Sequence, residues 1–404
     1  MNWQIVLTTA CMITGNLIGA GILGLPINTG LAGLIPSLVA MLAGGGMMYF
    51  SALVLGDQVF LNKEQSTFDF PSLYQKYFGN IGKWIAIVAN VIILYGLLTA
   101  YFTGGAKVLG SLVGTGEGNM PLFFLFAGVL IVITCINLQF IQKLNIFFIL
   151  FLAAAFAVLA VIGGSHIVPA RLGYYDWSFL PATLPIIVTA FHFHNIIPVL
   201  VEELRYDLPT FRRSVMLGML LAFIMNMVWI MVGIGVLPLS GENSILQAYQ
   251  SNIPATVPMG KQLHSMTFTL TASLFAIIAI CTSFLANGVG LMNFIRDLLK
   301  SSRLPTWRIF IMALAFAPPL CTATFYPDIF LNALNVVGGI GIITLFGILP
   351  ASIVFMNRSA AKWRRIIAAV VLLFALAVLV VEVLQETGLL QLQPQVEYYQ
   401  VDFE

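Results

Sequence analysis

The first 56 residues of this 404-residue chain contain no Asp, Glu, Lys, Arg or His. A hydrocarbon layer about 30 Å thick takes about 20 apolar residues per helix, so this opening segment holds two membrane spans. In lipid the backbone must satisfy its own hydrogen bonds, and these runs are too long for barrel strands, which leaves helices. The rest of the chain follows suit. Only 8% of its residues are charged, against about a quarter in soluble domains, too few to clothe a water-facing surface. The expected fold class is therefore an all-α polytopic membrane protein, embedded in a lipid bilayer as one domain over residues 1–404. Met1-Asn2-Trp3-Gln4 offers no positive leader, so the first helix is expected to be retained. The four cysteines, Cys11, Cys135, Cys281 and Cys321, lie scattered in apolar runs without disulfide or zinc spacing.

Hydropathy places about eleven spans, near 5–27, 32–55, 84–112, 120–138, 144–163, 183–201, 213–236, 265–295, 306–325, 329–355 and 365–385. With the N-terminus in the cytoplasm, 15 of the 18 Lys and Arg residues fall in inside loops, leaving Lys107, Arg171 and Lys261 outside. That bias is what the positive-inside rule demands, and one missed span would scramble it. The odd count then puts the acidic tail, 386–404, outside. The net charge of +2 follows this topology and points to no nucleic-acid partner. Two loops stand out. Residues 57–83, with aromatic and charged residues interleaved, predict a helix lying at the inner interface. Residues 237–264 form an outer loop, either a cover over an entrance or a plain connector.

Two spans are built to break. The first carries Gly15, Gly19, Gly21 and Gly24 within ten residues, each costing about 1 kcal/mol in a helix relative to alanine. Gly15 and Gly19 also suit close helix packing, but Gly19-Ala20-Gly21 puts small residues on successive faces, as an unwound segment needs where a ligand meets bare backbone. The sixth span carries His192, His194 and Asn195 in mid-membrane, followed by Pro198. Polar groups there are costly and mark function, and the proline favours a break near residue 194. Spans one and six are equivalent positions in two five-helix halves, 1–163 and 183–355. Because five is odd the second half runs inverted, with 365–385 an extra helix. Paired interrupted helices of this kind point to a mid-bilayer site. Their freed N–H groups suit an anion and their freed carbonyls a cation, and a zwitterionic amino acid offers both charges.

At these residues the sequence resembles the bacterial hydroxy- and aromatic-amino-acid permeases, tyrosine- and tryptophan-specific transporters of the amino acid–polyamine–organocation superfamily. The matching stretches are GNLIGAGILGLP (15–26), YGLLTAYFTGGA (95–106), FHFHNIIPVLVEEL (191–204), CTSFLANGVGLMNF (281–294) and PPLCTATFYPDIFLNAL (318–334). The resemblance implies a leucine-transporter-type 5+5 inverted repeat in the bacterial inner membrane, importing an aromatic amino acid by alternating access. Carried over by position, Asn16, Ala20 and Gly21 meet the substrate carboxylate, and Phe191 with Phe193 lines the side-chain pocket. Gly19 and Asn195, in the two breaks, join the substrate-binding set, with Tyr95, Thr99 and Tyr101 of the third span as further candidates. His194 falls on a histidine typical of the family. His192 stands where relatives have a small residue, often glycine, a departure that bears on selectivity.

Coupling has two readings. By analogy with sodium-coupled members of the fold, Thr282 and Ser283 join the carbonyls of Gly15 and Ile18 around a sodium ion. Alternatively His192 or His194, the side chains that titrate nearest neutral pH, carries a proton. The fifth span has no lysine to replace sodium. No cofactor is implied beyond the coupling ion, and the oligomeric state stays open. Glu202 and Glu203 read either as a solvated helix end or as an inner-gate ion pair with Arg205. Rival classes are other neutral amino acid symporters, and a divalent-metal carrier prompted by His192-x-His194. An intramembrane enzyme has no supporting motif, since residues two apart on a helix face different ways, and a channel lacks a charged filter.

Overall fold

The computed structural model describes residues 3–19, 21–63, 68–115, 119–135, 138–299, 305–357 and 360–394. Ala20, Lys300, Arg303, Arg358 and the end of the acidic tail from 395 lie outside the described residues. The chain begins with α1 (Trp3–Leu17) and α2 (Gly21–Gly30), which meet at a 60° bend. α3 (Leu34–Leu61) follows after a turn at Gly33, whose φ of 87° and whose position against Tyr174 leave no room for a side chain. A Cβ there would lie 2.1 Å from the Tyr174 carbonyl oxygen, so only glycine fits.

α4 (Phe70–Val113) is capped by Asp69, whose carboxylate accepts from the Ser72 amide at 2.7 Å. It kinks at Gly79, with φ 66°. The stretch before the kink covers the inner-interface helix expected from the sequence, and it is tied to the bundle rather than loose. Tyr74 donates to the Leu345 carbonyl at 2.6 Å, Tyr77 to Gln58 at 2.7 Å and Lys76 to Asn62 at 2.9 Å. α5 (Met120–Cys135) and α6 (Leu138–Gly164) complete the first half of the chain.

The second half opens with α7 (Leu180–Ala190), a short turn at His194–Ile196, and α8 (Ile197–Glu203). α9 (Leu208–Val236) leads to a loop carrying α10 (Ile245–Gln250) and α11 (Thr256–Leu263). Then come α12 (Met266–Leu298), α13 (Pro305–Phe325) and α14 (Phe330–Val336). α14 continues through a wider π-helical stretch, Val337–Ile348, into α15 (Leu349–Met356), and α16 (Lys362–Glu386) closes the fold.

Among the described residues eight helices are long and apolar enough to cross a membrane, counting α7–α8 and α14–α15 as one each. The bent pair α1–α2 adds a ninth, and α5 and Leu150–Gly164 of α6 are shorter apolar helices. No strand forms among the described residues beyond an isolated bridge between Gly33 and Tyr175. Leu42, Ile81, Leu125, Leu373 and many other large apolar side chains are exposed on the bundle surface, where lipid rather than water is the suitable solvent.

The two ends are fastened differently. At the basic end Asp57 of α3 receives Arg212 of α9 and Arg364 of α16, both at 2.7 Å. At the opposite end the buried Lys107 of α4 reaches Asp328 at 2.8 Å and the carbonyls of Ser251 and Asn252 at 2.6 and 3.1 Å. A buried ammonium needs that many partners to offset its lost hydration. The loop between α9 and α12 that carries Ser251 and Asn252 also bonds α2 through the Ala255 amide and the Leu23 carbonyl at 2.8 Å, and accepts the Asn332 amide on the Asn252 side chain at 3.0 Å.

Candidate functional site

Both helix breaks open onto one cavity of about 280 Å³. The first break supplies Gly15, Asn16, Gly19 and Gly21, the second His192 and Asn195, and α12 supplies Thr282 and Ser283. Glycine makes the approach possible. A Cβ on Gly21 would stand 3.3 Å from the Ala190 Cα, so the start of α2 lies directly against the end of α7. A Cβ on Gly19 would stand 2.8 Å from Ser283 Oγ, so that hydroxyl is seated on the bare backbone of the break. Thr282 Oγ1 donates back to the Ile278 and Ala279 carbonyls at 2.9 and 3.1 Å, which leaves its oxygen lone pairs free. Ile18 is buried in the break but does not line the cavity.

The second break has a local cause. α7 ends at Ala190, and the chain restarts as α8 with Pro198 in its first turn, where a missing N–H costs nothing. Between them the His192 amide bonds the Thr189 carbonyl at 3.2 Å and the Ile196 amide bonds the Phe193 carbonyl at 3.1 Å. Successive side chains then part company. His192 faces the cavity, its ring 5.2 Å from that of Phe346. His194 turns into the bundle, its Nε2 3.1 Å from the Met48 carbonyl and its ring parallel to His192 at 6.1 Å. Phe191 is buried against Gly45 of α3 and stacks on Phe223, and Phe193 is fully buried. Phe191, Phe193 and His194 therefore support the break from behind and do not line this cavity.

Tyr95 and Thr99 also face elsewhere. Tyr95 donates to the Leu314 carbonyl at 2.8 Å, joining α4 to α13, while Thr99 donates to the Tyr95 carbonyl of its own helix at 2.9 Å. The cavity face of α4 is instead Leu97 and Tyr101. Two polar residues that line the cavity were not singled out from the sequence. Thr189, at the end of α7, donates to the Leu334 carbonyl at 2.9 Å. Asn287 donates to the Ser283 carbonyl at 2.9 Å and to the Tyr101 hydroxyl at 3.3 Å. Its signal was there to use: it is a mid-span amide four residues past Ser283, on the same helix face.

Among the described residues no three His, Cys, Asp or Glu side chains converge as a metal-binding group, so the two imidazoles have no ligand set to join. Glu202 and Glu203 are exposed at the end of α8.

A cavity with polar groups at two broken helices, within an all-helical, multi-span bundle, is the architecture of a membrane transport protein. The chain belongs to the tryptophan/tyrosine permease family, whose model matches residues 3–386; it is a transporter family, and the protein is not an enzyme. It is similar to the tyrosine-specific transport system 1 of Haemophilus influenzae, with 30% identity over 86% of this chain and 87% of that protein. A tryptophan-specific transport protein of Pseudomonas aeruginosa is 25% identical over 81% and 80% of the two chains. A glutamine transporter 2 of Aliivibrio fischeri is 25% identical over 90% and 92%.

Proposed function

We propose that this protein imports an aromatic amino acid, tyrosine or tryptophan, across the bacterial inner membrane together with a coupling cation, by alternating access. The observation that carries the reading is the single cavity onto which both broken helices open. A zwitterion fits such a place. Its carboxylate goes to the backbone freed around Gly19 and Gly21, where helix-end N–H groups favour an anion. Its side chain extends toward His192 and the wall formed by α4 and α12. Family membership, and relatives named for tyrosine and tryptophan transport, support the substrate class. The relative named for glutamine gives the second reading, another neutral amino acid, some support.

In this reading eleven helices cross the membrane as a 5+5 inverted repeat plus α16, with the N-terminus inside and the C-terminus outside. The 60° bend after α1 and the interruption after α7 stand at equivalent positions of the two halves. In that topology the α1 and α8 side of the cavity, lined by Met12 and Val199, faces the cytoplasm. The coupling ion in this reading is held by the carbonyls of Gly15 and Ile18 together with the hydroxyls of Thr282 and Ser283, a set of hard oxygen donors suited to sodium. Protons carried on His192 or His194 are the alternative.

Uptake of labelled tyrosine and tryptophan into proteoliposomes, with sodium and proton gradients imposed separately, tests this. Sodium-driven uptake that disappears in Thr282→Ala supports the oxygen site. Uptake driven by protons alone, and lost in His192→Ala or His194→Ala, moves coupling to the histidines. Absence of uptake under both gradients, with no binding of either amino acid, sinks the assignment.

A further inference from the structure

We propose that Asn287 reads the side chain of the transported amino acid and selects one that ends in an N–H or O–H donor. This rests on the amino acid transport proposed above and adds which substrates pass. Asn287 lies in the cavity wall, four residues along α12 from Ser283, and is 9% exposed. Its amide nitrogen donates to the Ser283 carbonyl at 2.9 Å and to the Tyr101 hydroxyl at 3.3 Å. A backbone carbonyl can only accept, so the first of these bonds fixes which end of the amide is nitrogen. The other end, Oδ1, is covered from solvent and has no hydrogen-bond partner. Buried acceptors are nearly always paired, and one left alone at the wall of a binding cavity is an acceptor kept for the ligand.

The placement suits a side-chain tip. The charged groups of an amino acid belong at the Gly19–Gly21 break, against which Ser283 is seated. Asn287 lies one helical turn beyond, about 6 Å along α12. The same cavity is lined by the apolar Leu97, Leu152 and Ala286, which suit a ring. A phenol O–H or an indole N–H arriving at that depth satisfies Oδ1. Phenylalanine fills the same space and strands the acceptor, which is how sites built for a hydroxyl reject the analogue lacking it. His192 Nε2 is also unpartnered at this cavity. An imidazole nitrogen donates or accepts according to its tautomer, so it cannot make this distinction alone, whereas an amide oxygen can.

The test compares tyrosine, tryptophan, phenylalanine and 4-fluorophenylalanine as competitors of labelled tyrosine binding and uptake, in the wild type and in Asn287→Leu. In the wild type, phenylalanine and its fluoro analogue should compete at least about tenfold more weakly than tyrosine. In Asn287→Leu that preference should fall to about twofold or less, with phenylalanine binding gained as tyrosine binding weakens. A purely structural role for Asn287 lowers both ligands alike and overturns the proposal. Should the variant not fold, the fluoro analogue decides on the wild type alone: equal competition by tyrosine and 4-fluorophenylalanine overturns selection by a donor and leaves aromatic transport standing. Failure of every aromatic amino acid to bind overturns the parent reading, and this inference with it.

Discussion

The two halves of each broken helix live in different surroundings. All ten residues of α2 are buried and nine of the eleven in α7, but only six of the fifteen in α1 and three of the seven in α8. The buried halves are clamped. The loop between α9 and α12 holds α2 through Ala255, and α7 is bonded to α14 through Thr189 and the Leu334 carbonyl at 2.9 Å. α1 instead leans on one neighbour, α9, where the Thr14 hydroxyl reaches the Gly218 carbonyl at 3.0 Å. One side of the cavity is thus sealed by packing and backbone hydrogen bonds, and the other is lined by exposed side chains. In a rocking mechanism the sealed side is the one that must come apart next, so its contacts have to be numerous yet individually weak.

The largest expected effect tests how tightly that sealed side is built. A Cβ on Gly338 would lie 1.9 Å from the Pro185 carbonyl oxygen and 2.4 Å from Thr189 Oγ1. Backbone cannot yield there without moving α7, so Gly338→Ala should lose about 3 kcal/mol, the upper end of overpacking costs. Thermal unfolding in detergent reads it, and a melting temperature equal to wild type would mean that α7 is looser than its burial suggests.

Lys107→Met comes next. It removes the cation that holds the Ser251 and Asn252 carbonyls, with Asp328 losing little because its side chain is 72% exposed. About 2 kcal/mol should go, the usual cost of leaving buried acceptors unmade. Unlike Gly338→Ala, this change should act by freeing the loop between α9 and α12. A cysteine placed at Ala255 should become reactive to an impermeant thiol reagent added outside. Unchanged labelling would remove the loop from the seal.

The sequence already contained much of this. Apolar runs located a helix over each expected span, because burial in lipid leaves the backbone few alternatives. The two breaks were legible because Gly19, Gly21 and Pro198 act locally. Harder to read was which residues near a break face the cavity. Phe191, Phe193 and His194 flank His192 within four residues, yet they pack against α3 and Phe346 because an irregular stretch has no fixed periodicity to project. Thr99 lies two residues before Tyr101, about half a turn away, and Tyr95 one turn before Thr99, so both turn to α13 while Tyr101 faces the cavity, a rotation that no single apolar stripe fixed. Lys107 read only as one of three basic residues outside, since its three partners lie more than 140 residues away.

The open side invites two smaller tests. Gly19→Ala pushes a methyl toward Ser283 Oγ, the end of a side chain that can rotate, so folding should be nearly intact. Displacing that oxygen forfeits about 1.5 kcal/mol of bonding to a charged ligand or ion, or about tenfold in half-saturation for uptake. Equal losses of stability in Gly19→Ala and Gly338→Ala would erase the contrast between the two sides.

Asp207→Ala should have the smallest effect, because it touches the scaffold beside the open side. The chain leaves α8 through Arg205 and Tyr206, both at positive φ, and Asp207 then caps α9. Its carboxylate accepts from the Thr210 hydroxyl at 2.7 Å and the Thr210 amide at 3.3 Å. These bonds hold its carboxyl below the usual carboxylate range. A lowered value in the folded state stabilises fully above the unfolded value of about 4 and is lost as pH falls through the folded one. Removing the cap should therefore cost about 1 kcal/mol near neutral pH, with uptake retained, and the melting curves of variant and wild type should converge in acid. A gap that persists at low pH would mean that Asp207 acts through something other than its charge, and that the turn after α8 belongs to the moving parts.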